Sequence, residues 1–315
     1  MSRYREADLS RLRVMSVTDR PTKVSVTDFA RPLDPAAAAA VIASLPDQLA
    51  ALALRAVIAR TAAAHREGRP VVVMLGGHVI KVGVTPCLIG LVERGIVSHL
   101  AMNGAAAIHD AEIARIGRTS EDVEANLHTG TFGMVDETGD FMNAAMSAGA
   151  QRKEGLGECW GRALEEEPAA HRAVSILATA WRCNVPATVH VAIGTDTIHH
   201  HPRCDGAALG ETTLRDFRIF AATLGQARGA VVLNLGSAVL MPEVFLKALS
   251  VARNLGADLA DLTTVNFDQI QHYRPRLNVV ERPTRGSGGH GYSLTGHHEI
   301  MIPLFCAAVL AELGP

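Results

Sequence analysis

The sequence predicts an α/β fold in which helices cover both faces of a doubly wound, mostly parallel sheet. Short apolar runs typical of buried strands alternate with longer helical segments over most of the chain, a pattern that favours a parallel sheet with crossover helices. Almost every apolar run ends in glycine or in a small polar residue. Hydrophobic residues make up 48% of the 315 residues, which suffices for one large core.

The N-terminal part precedes this alternation. Residues 1–33 are polar and show little periodicity, so we expect an arm that packs on a neighbour or stays loose. Asp34 and Pro35 start a predicted alanine-rich helix as its N-cap and first residue, and Pro46 interrupts it. An amphipathic helix is predicted at residues 47–67, and we expect this extension to cover the sheet or to form a subunit contact.

A strand, turn, helix and strand follow as one unit. Residues 71–75 are an uninterrupted apolar run, residues 76–83 form a predicted glycine-bearing turn, and residues 85–94 form a predicted helix. A second apolar run, residues 97–102, leads into Asn103-Gly104. Because parallel βαβ units bind ligands at the carboxyl ends of their strands, both turns are candidate ligand sites.

The glycine turn has the residues that a phosphate site needs. Gly76 and Gly77 let backbone N–H groups approach a phosphate, and Lys81 adds a positive charge. The spacing is not GxGxxG, so the turn alone indicates a nucleotide only weakly. His78 lies inside the turn and places an imidazole at the end of a strand, which suggests contact with a ligand.

The remaining elements continue the alternation along the rest of the chain. Predicted helices cover residues 120–127, 137–151, 166–183, 211–226, 242–255 and 299–313, and predicted strands cover residues 187–193, 230–235 and 257–265. Residues 283–296 are rich in glycine and are predicted to form a loop, with a lid over the cleft as the alternative.

Polar turns follow every predicted strand, and the later ones add Thr195-Asp196, Gly236-Ser237 and the stretch from Thr264 to Asp268. A single turn of this composition is ordinary. Several of them at one edge of a parallel sheet favour a ligand cleft. Asp196 and Asp268 are the candidates to accept hydrogen bonds from ribose hydroxyls.

Histidines supply the candidate acid and base groups. His109 opens a predicted helix together with Asp110 and Glu112, where acids are also favoured by the helix dipole alone. His199 and His201 would face the same way in an extended segment and would then form part of a divalent transition-metal site. No HExxH or spaced Cys/His pattern is present, so a hydrogen-bonding loop is the competing interpretation.

Composition argues against several classes of function. The 30 basic and 32 acidic residues give a net charge of −2 and form no basic stripe, which argues against nucleic acid as a partner. No signal peptide is evident and no run of about 18 apolar residues occurs, which argues against a membrane protein. Five cysteines without a CxxC pair fit reduced thiols, so we expect a cytoplasmic protein.

Several of these positions resemble the deoxyhypusine synthase family in order and context, from about residue 70 onward. Residues 76–83 are similar to that family's turn for NAD, and Asn103-Gly104 with Asp110 resembles its next turn and helix start. The resemblance implies a Rossmann-like fold, a homotetramer and NAD bound at a subunit interface. The cofactor-binding residues that it implies are Gly76, Gly77, Lys81, Asn103, Gly104, Asp110, Thr195, Asp196, Gly236, Ser237, Thr264 and Asp268.

The catalytic lysine of that family has no counterpart here. The chain has four lysines, Lys23, Lys81, Lys153 and Lys247, and none follows residue 247. Because an imine relay requires an amine nucleophile, hypusine formation is not expected.

We therefore expect an NAD-dependent oxidoreductase or transferase that acts on a small amine, polyamine-like or alcohol substrate by hydride transfer. His78, His109 and His201 are the predicted acid and base groups, because histidine titrates near neutral pH. Two alternatives stay open: a metal-dependent enzyme built on His199 and His201, and a non-catalytic nucleotide-binding protein. The predicted boundaries are 1–68 for the N-terminal arm and helical extension and 69–315 for the Rossmann-like nucleotide-binding and catalytic domain.

Overall fold

The computed structural model describes residues 3–314. Its strands, in chain order, are β1 (Thr22–Ser25), β2 (Val71–Leu75), β3 (His99–Asn103), β4 (Arg118–Glu121), β5 (Ala187–His190), β6 (Val231–Leu235), β7 (Thr263–Asp268) and β8 (His290–Thr295). β1 and β4 form a separate antiparallel pair, whereas the other six form one sheet whose neighbouring strands are all parallel. This sheet confirms the predicted α/β class.

The order of the six strands is β5-β3-β2-β6-β7-β8. The chain winds outward from β2 through β3 to β5, then returns to the middle at β6 and winds outward to β8. In doubly wound folds of this order, ligands bind at the carboxyl edge where the order reverses. Here that point lies between the carboxyl ends of β2 and β6.

The central strands form because their sequences suit burial on both faces. β2 reads Val-Val-Val-Met-Leu, and all of its residues are buried. Val71, Val73 and Leu75 join the larger core cluster on one face, whereas Val72 and Met74 pack in a second cluster on the other. Burial of each such side chain contributes roughly 1.5–3 kcal/mol, which fixes the strands and holds the turns that follow them at one edge.

Helices flank the sheet on both faces. Asp34 accepts a hydrogen bond from the backbone N–H of Ala37 at 3.1 Å, which confirms it as the N-cap of the first helix. No helix within residues 3–314 is long and apolar enough to cross a membrane. The helices are α1 (Pro35–Ser44), α2 (Leu49–Arg66), α3 (Gly77–Lys81), α4 (Thr85–Glu93), α5 (Gly104–Ile116), α6 (Val123–Leu127), α7 (Asp136–Arg152), α8 (Leu156–Glu166), α9 (Ile176–Arg182), α10 (Gly206–Leu224), α11 (Leu240–Asn254), α12 (Tyr273–Pro275) and α13 (His298–Leu313).

The predicted helical extension packs on the sheet domain, because α1 and α2 both contact α13. The boundary at residue 68 stays a prediction.

Two segments near the candidate site differ from expectation. Residues 76–83, predicted as a turn, contain α3, for which Gly76 is the N-cap. Residues 120–127, predicted as one helix, are divided between β4 and α6, because β4 pairs with β1 and Asp122 then caps α6.

Three segments further along also differ. The helix predicted at residues 166–183 is confirmed only as α9, because a connecting segment follows α8 and Ser175 caps α9 as a new helix. The strand predicted at residues 257–265 starts later, as β7, since a turn with a positive φ at Asp261 precedes it. The loop predicted at residues 283–296 contains β8, which pairs with β7 at the edge of the sheet.

Candidate functional site

A cavity of about 230 Å³ lies at the carboxyl edge of the sheet, beside the first turns of α5. α5 begins directly after β3, which places these turns at that edge. A larger cavity of about 310 Å³ adjoins the start of β5 and has a mostly apolar lining, so it is a poorer candidate for chemistry. The charged and titratable residues that line the first cavity are Arg20, Lys81, His109, Glu112, Glu121 and Asp196.

His109 is positioned by a hydrogen-bond relay. Its Nδ1 lies 2.7 Å from Oγ1 of Thr119 in β4, and this hydroxyl donates to Oε2 of Glu112 at 2.6 Å. Because the hydroxyl gives its single proton to the carboxylate, Nδ1 of His109 must carry a proton and donate to Oγ1. The network therefore assigns the tautomer and leaves Nε2 with a lone pair.

Glu112 is held from two further sides. Nη1 of Arg20, a residue of the N-terminal arm, lies 2.8 Å from Oε1 of Glu112. The hydroxyl of Thr138 in α7 donates to the same oxygen at 3.0 Å. Both members of the ion pair are buried, so the loss of either would leave a buried charge without its partner. The relay therefore joins the arm, β4, α5 and α7 around one imidazole.

His109 is neutral at neutral pH. Burial lowers its pKa to about 4; Glu112 opposes this shift, whereas Lys81 and Arg20 lower the pKa further. A neutral imidazole that is protonated on Nδ1 offers Nε2 as a proton acceptor. The cavity is thus lined by a base of fixed orientation.

The backbones of Gly76 and Gly236 meet where the strand order reverses. A Cβ at Gly76 would lie 2.2 Å from the carbonyl oxygen of Gly236, so a side chain does not fit there. Gly236 has a φ of 65°, which also favours glycine. Among the described residues, no side chain forms an N-cap hydrogen bond at the start of α3. We call the region formed by Gly76, Gly77, Gly236 and Ser237 the switch crevice.

The switch crevice adjoins the cavity through Gly77. A Cβ at Gly77 would lie 3.3 Å from Cδ2 of His109 and 3.2 Å from Cβ of Ala105. The turn after β2 and the start of α5 are therefore in direct contact. The backbone of the switch crevice therefore lies next to the imidazole of His109.

His78 and His298 pair on the other side of the crevice. Their ring centroids lie 5.5 Å apart, and Nε2 of His298 donates to the carbonyl of Phe267 at 3.1 Å. Burial lowers the pKa of His78, and His298 and Lys81 lower it further, whereas Glu299 and Asp268 act in the opposite direction. His78 thus belongs to the crevice near the end of β7 rather than to the lining of the cavity.

Comparisons with known proteins do not assign a family. No family model matches the sequence, and no curated protein matches it. Among solved structures, apo ArgZ, an arginine dihydrolase from the ornithine–ammonia cycle in cyanobacteria, has 17% identity and a TM-score of 0.49, over 82% of this chain and 31% of that chain. A candidate LOR/SDH protein from Methanococcus maripaludis S2 has 14% identity and a TM-score of 0.49, over 92% of this chain and 73% of that chain.

A candidate deoxyhypusine synthase from Entamoeba histolytica has 12% identity and a TM-score of 0.43, over 75% of this chain and 73% of that chain. The chain spans about a third of the length of ArgZ. Because each of these TM-scores is below 0.5, the similarities carry no argument about activity.

Other predicted cofactor residues lie at the carboxyl edge in supporting positions. Asn103 caps α5 by accepting a hydrogen bond from the backbone N–H of Ala106 at 2.9 Å, and Oγ of Ser237 accepts one from the N–H of Met241 in the first turn of α11 at 3.2 Å. Gly104 lies against the carboxylate of Asp196, because a Cβ there would meet Oδ2 at 2.1 Å. Thr195 is exposed beside it, and its hydroxyl donates within its own loop.

Three predicted site residues lie away from the cavity. Asp110 is buried and accepts three hydrogen bonds at the start of α9, so it anchors that helix instead of a cofactor. Thr264 lies near the start of β7, ~13 Å from the carboxyl edge at Asp268. Nε2 of His201 lies 3.1 Å from Oδ1 of Asp136 in α7, outside the lining of the cavity. The geometry therefore does not support the roles predicted for these three.

The metal alternative lacks a ligand set. Nδ1 of His199 accepts hydrogen bonds from the backbone N–H groups of Gly194 and Asp196 at 3.1 and 3.4 Å, whereas His201 faces Asp136. Across residues 3–314, no group of three or more His, Cys, Asp or Glu side chains could hold a metal ion. The structure therefore offers no support for a metal site built on this segment.

Sequence reasoning missed Arg20 and Thr119. Arg20 lies in the polar arm and belongs to no motif, and Thr119 directly precedes the helix predicted at residues 120–127. Both become site residues because β1 pairs with β4, which draws the arm toward α5. Glu112 differs from these two residues, because the sequence already places it close to His109 on the same predicted helix.

Proposed function

We propose that this chain is a deoxyhypusine synthase-like, NAD-dependent enzyme that oxidises an amine or alcohol carbon of a small molecule without a lysine imine. One observation supports this best: a histidine of fixed tautomer lines a polar cavity that adjoins the switch crevice of a doubly wound sheet. Folds of this order bind nucleotides in that crevice. A base beside it suits hydride transfer coupled to proton loss.

We assign the dinucleotide to the switch crevice. Gly76 and Gly77 bring main chain without side chains to the carboxyl edge at the end of β2, and we assign the pyrophosphate to this stretch of backbone. The side chain of Asn103, at the end of β3, is already used to cap α5. We therefore assign the ribose hydroxyls to the carboxylate of Asp268, which lies at the end of β7. When bound, NAD would supply the hydride acceptor.

His109 would take the proton that leaves the substrate nitrogen or oxygen. Nε2 would accept it, while Nδ1–H stays bonded to Thr119 and, through this hydroxyl, to Glu112. An acidic partner of this kind orients the imidazole and stabilises the imidazolium that forms. Burial lowers the pKa of His109 to about 4, so the imidazolium returns its proton to water readily.

The test measures binding and turnover separately. Titration calorimetry of the purified chain with NAD reports binding, and the absorbance of NADH reports turnover with amines, polyamines and amino alcohols. We expect His109→Asn to keep NAD binding and to lower kcat by roughly 10²–10⁴-fold, since it removes the general base. His65→Asn is the matched control and should change neither quantity, because His65 lies in the last turn of α2, before the amino end of β2.

Four results separate the candidate functions. NAD binding with turnover that depends on His109 supports the proposal. NAD binding without turnover of any of these substrates supports a non-catalytic nucleotide-binding protein. Absence of NAD binding contradicts the proposal, and stoichiometric metal in the purified protein would favour the metal-dependent alternative.

A further inference from the structure

We infer that the cavity binds a small zwitterion, with its carboxylate at Arg20 and its ammonium group at Asp196. The inference rests on the proposed function, because it names the class of substrate that His109 would deprotonate. Two buried side chains of opposite charge carry it, since both line the same cavity and both have polar atoms without a partner within residues 3–314.

Arg20 provides the carboxylate site. Its side chain is 6% exposed, and Nη1 binds Glu112 at 2.8 Å. Among the described residues, neither Nε nor Nη2 of Arg20 has a hydrogen-bond partner. These two nitrogens form one side of the guanidinium and can bind a carboxylate through two parallel hydrogen bonds. Buried donors without an acceptor destabilise the protein, and a bound carboxylate would satisfy them.

Asp196 provides the ammonium site. Its side chain is 5% exposed, and Oδ2 has no hydrogen-bond partner in the part of the chain that the structure describes. Nε2 of His199 lies 3.7 Å away, which is beyond hydrogen-bond range. Burial raises the pKa of Asp196 to about 6, so the carboxylate is still mostly ionised at neutral pH and attracts a cation.

Charge and size together narrow the ligand. An amino acid satisfies both sites at once, whereas a diamine leaves the free donors of Arg20 without an acceptor and a diacid leaves Oδ2 of Asp196 without a donor. A volume of about 230 Å³ equals that of roughly eight water molecules in the liquid. The ligand is therefore a short amino acid rather than a long polyamine.

Titration calorimetry of the full chain without NAD tests the ligand class. The probes are 3-aminopropanoate, 4-aminobutanoate and 5-aminopentanoate, each compared with the diamine and the diacid of the same chain length. We expect at least one amino acid to bind about ten-fold more tightly than both of its comparison compounds, a difference of about 1.4 kcal/mol. A diamine or a diacid that binds as tightly as every amino acid would overturn the inference.

Variants assign each end of the ligand. Asp196→Asn keeps the side-chain size, and we expect it to bind the amino acid no more tightly than the carboxylic acid that lacks the amine. Arg20→Gln should weaken binding of the amino acid about ten-fold and leave unchanged the binding of the amine that lacks the carboxylate. If Arg20→Gln unfolds because Glu112 has lost its partner, Asp196→Asn alone tests the inference. The matched controls are the exposed Asp205→Asn and Arg13→Gln, which should bind like the wild type.

The outcomes distinguish this inference from the proposed function. An unchanged preference of Asp196→Asn for the amino acid would overturn the inference. NAD is titrated into the same samples. NAD binding without any preference for zwitterions overturns the inference and leaves the proposed function, whereas zwitterion binding without NAD binding overturns the proposed function and leaves the cavity assignment.

Discussion

Asp216 shows how one buried carboxyl group joins two elements. Oδ2 accepts hydrogen bonds from the N–H of Val189 in β5 at 2.6 Å and from that of Gly157 in α8 at 2.8 Å. The side chain is buried, and within residues 3–314 its Oδ1 has no partner. Burial raises the pKa of Asp216 to about 8 although both N–H groups act against the shift, so the group keeps its proton at neutral pH.

We predict that stability falls as pH rises because of Asp216. Its folded pKa of about 8 lies above the unfolded value of about 3.9, so between the two the folded state holds a proton that the unfolded state has released. The free energy of unfolding therefore decreases by up to roughly 1.4 kcal/mol per pH unit as pH rises toward the folded pKa. Asp216→Asn should remove this part of the slope.

Urea unfolding at about pH 6.5 and about pH 8 measures the slope. Other groups that titrate in this range, among them Asp110 and Asp196 with a pKa of about 6, contribute equally to the wild type and to Asp216→Asn, so the difference between the two slopes belongs to Asp216. Asp34→Asn is the matched control, because it changes an exposed helix cap where asparagine serves equally well. Equal slopes in the wild type and in Asp216→Asn would contradict the prediction.

A site residue could be predicted from the sequence where its position depends on local chain order and not on a long-range contact. Lys81 and His109 follow strand ends, so their order in the chain places them at the carboxyl edge. Arg20 could not be found in this way, because its position depends on a contact with Glu112 that is distant in sequence. Asp110 has the right residue type for a cofactor ligand, but its burial under α9 depends on tertiary packing.

At the scale of elements, uninterrupted apolar runs identify buried strands. β2 is such a run and β6 departs from one only at Asn234, and every residue in both strands is buried. β8 could not be recognised by this signal, because it lies at the sheet edge and only Leu294 of its residues is buried. α3 was also missed, since a helix this short depends on tertiary contacts more than on its own propensity.

We predict that Gly76→Ala separates the turns that follow β2 and β6. The new Cβ would lie 2.2 Å from the backbone oxygen of Gly236, which no rotamer change can move. Overpacking of this kind costs about 1–3 kcal/mol, so we expect a lower urea midpoint and weaker NAD binding.

Gly90→Ala provides the comparison for this change. Gly90 lies inside α4, where a Cβ would meet no atom within 4 Å, so alanine there should raise stability by up to about 1 kcal/mol. If Gly76→Ala and Gly90→Ala were to unfold alike, the contact between the two turns would not constrain the crevice.

At the scale of the whole molecule, the strand order could not be derived from the pattern of elements. Alternating strands and helices predict a parallel sheet, but they do not say on which side of β2 each later strand adds. The chain must return to the middle of the sheet after β5, and long-range packing decides this. The resemblance to deoxyhypusine synthase implied a Rossmann-like sheet, and the observed order is of that kind.

α1 and the start of α2 carry an exposed apolar surface. The sequence of α1 has no polar face, yet only Ala38 is buried. A helix that is apolar on all sides is normally covered, and the nearby Val41, Leu49 and Leu52 are 44%, 87% and 49% exposed. An exposed apolar surface of this kind marks an interaction site, so we propose that it lies between protomers of the predicted homotetramer.

We predict that Leu52→Glu dissociates this assembly without unfolding the protomer. Association would bury the new carboxylate without a partner, so light scattering should show the mass falling toward the protomer value of 33.4 kDa. Leu214→Glu is the matched control, because Leu214 is also 49% exposed but lies on α10. Circular dichroism checks that both variants are folded. Since the two substitutions add the same charge at equal exposure, dissociation by Leu52→Glu alone would locate the interface on α1 and α2, whereas equal masses for both variants would exclude it from there.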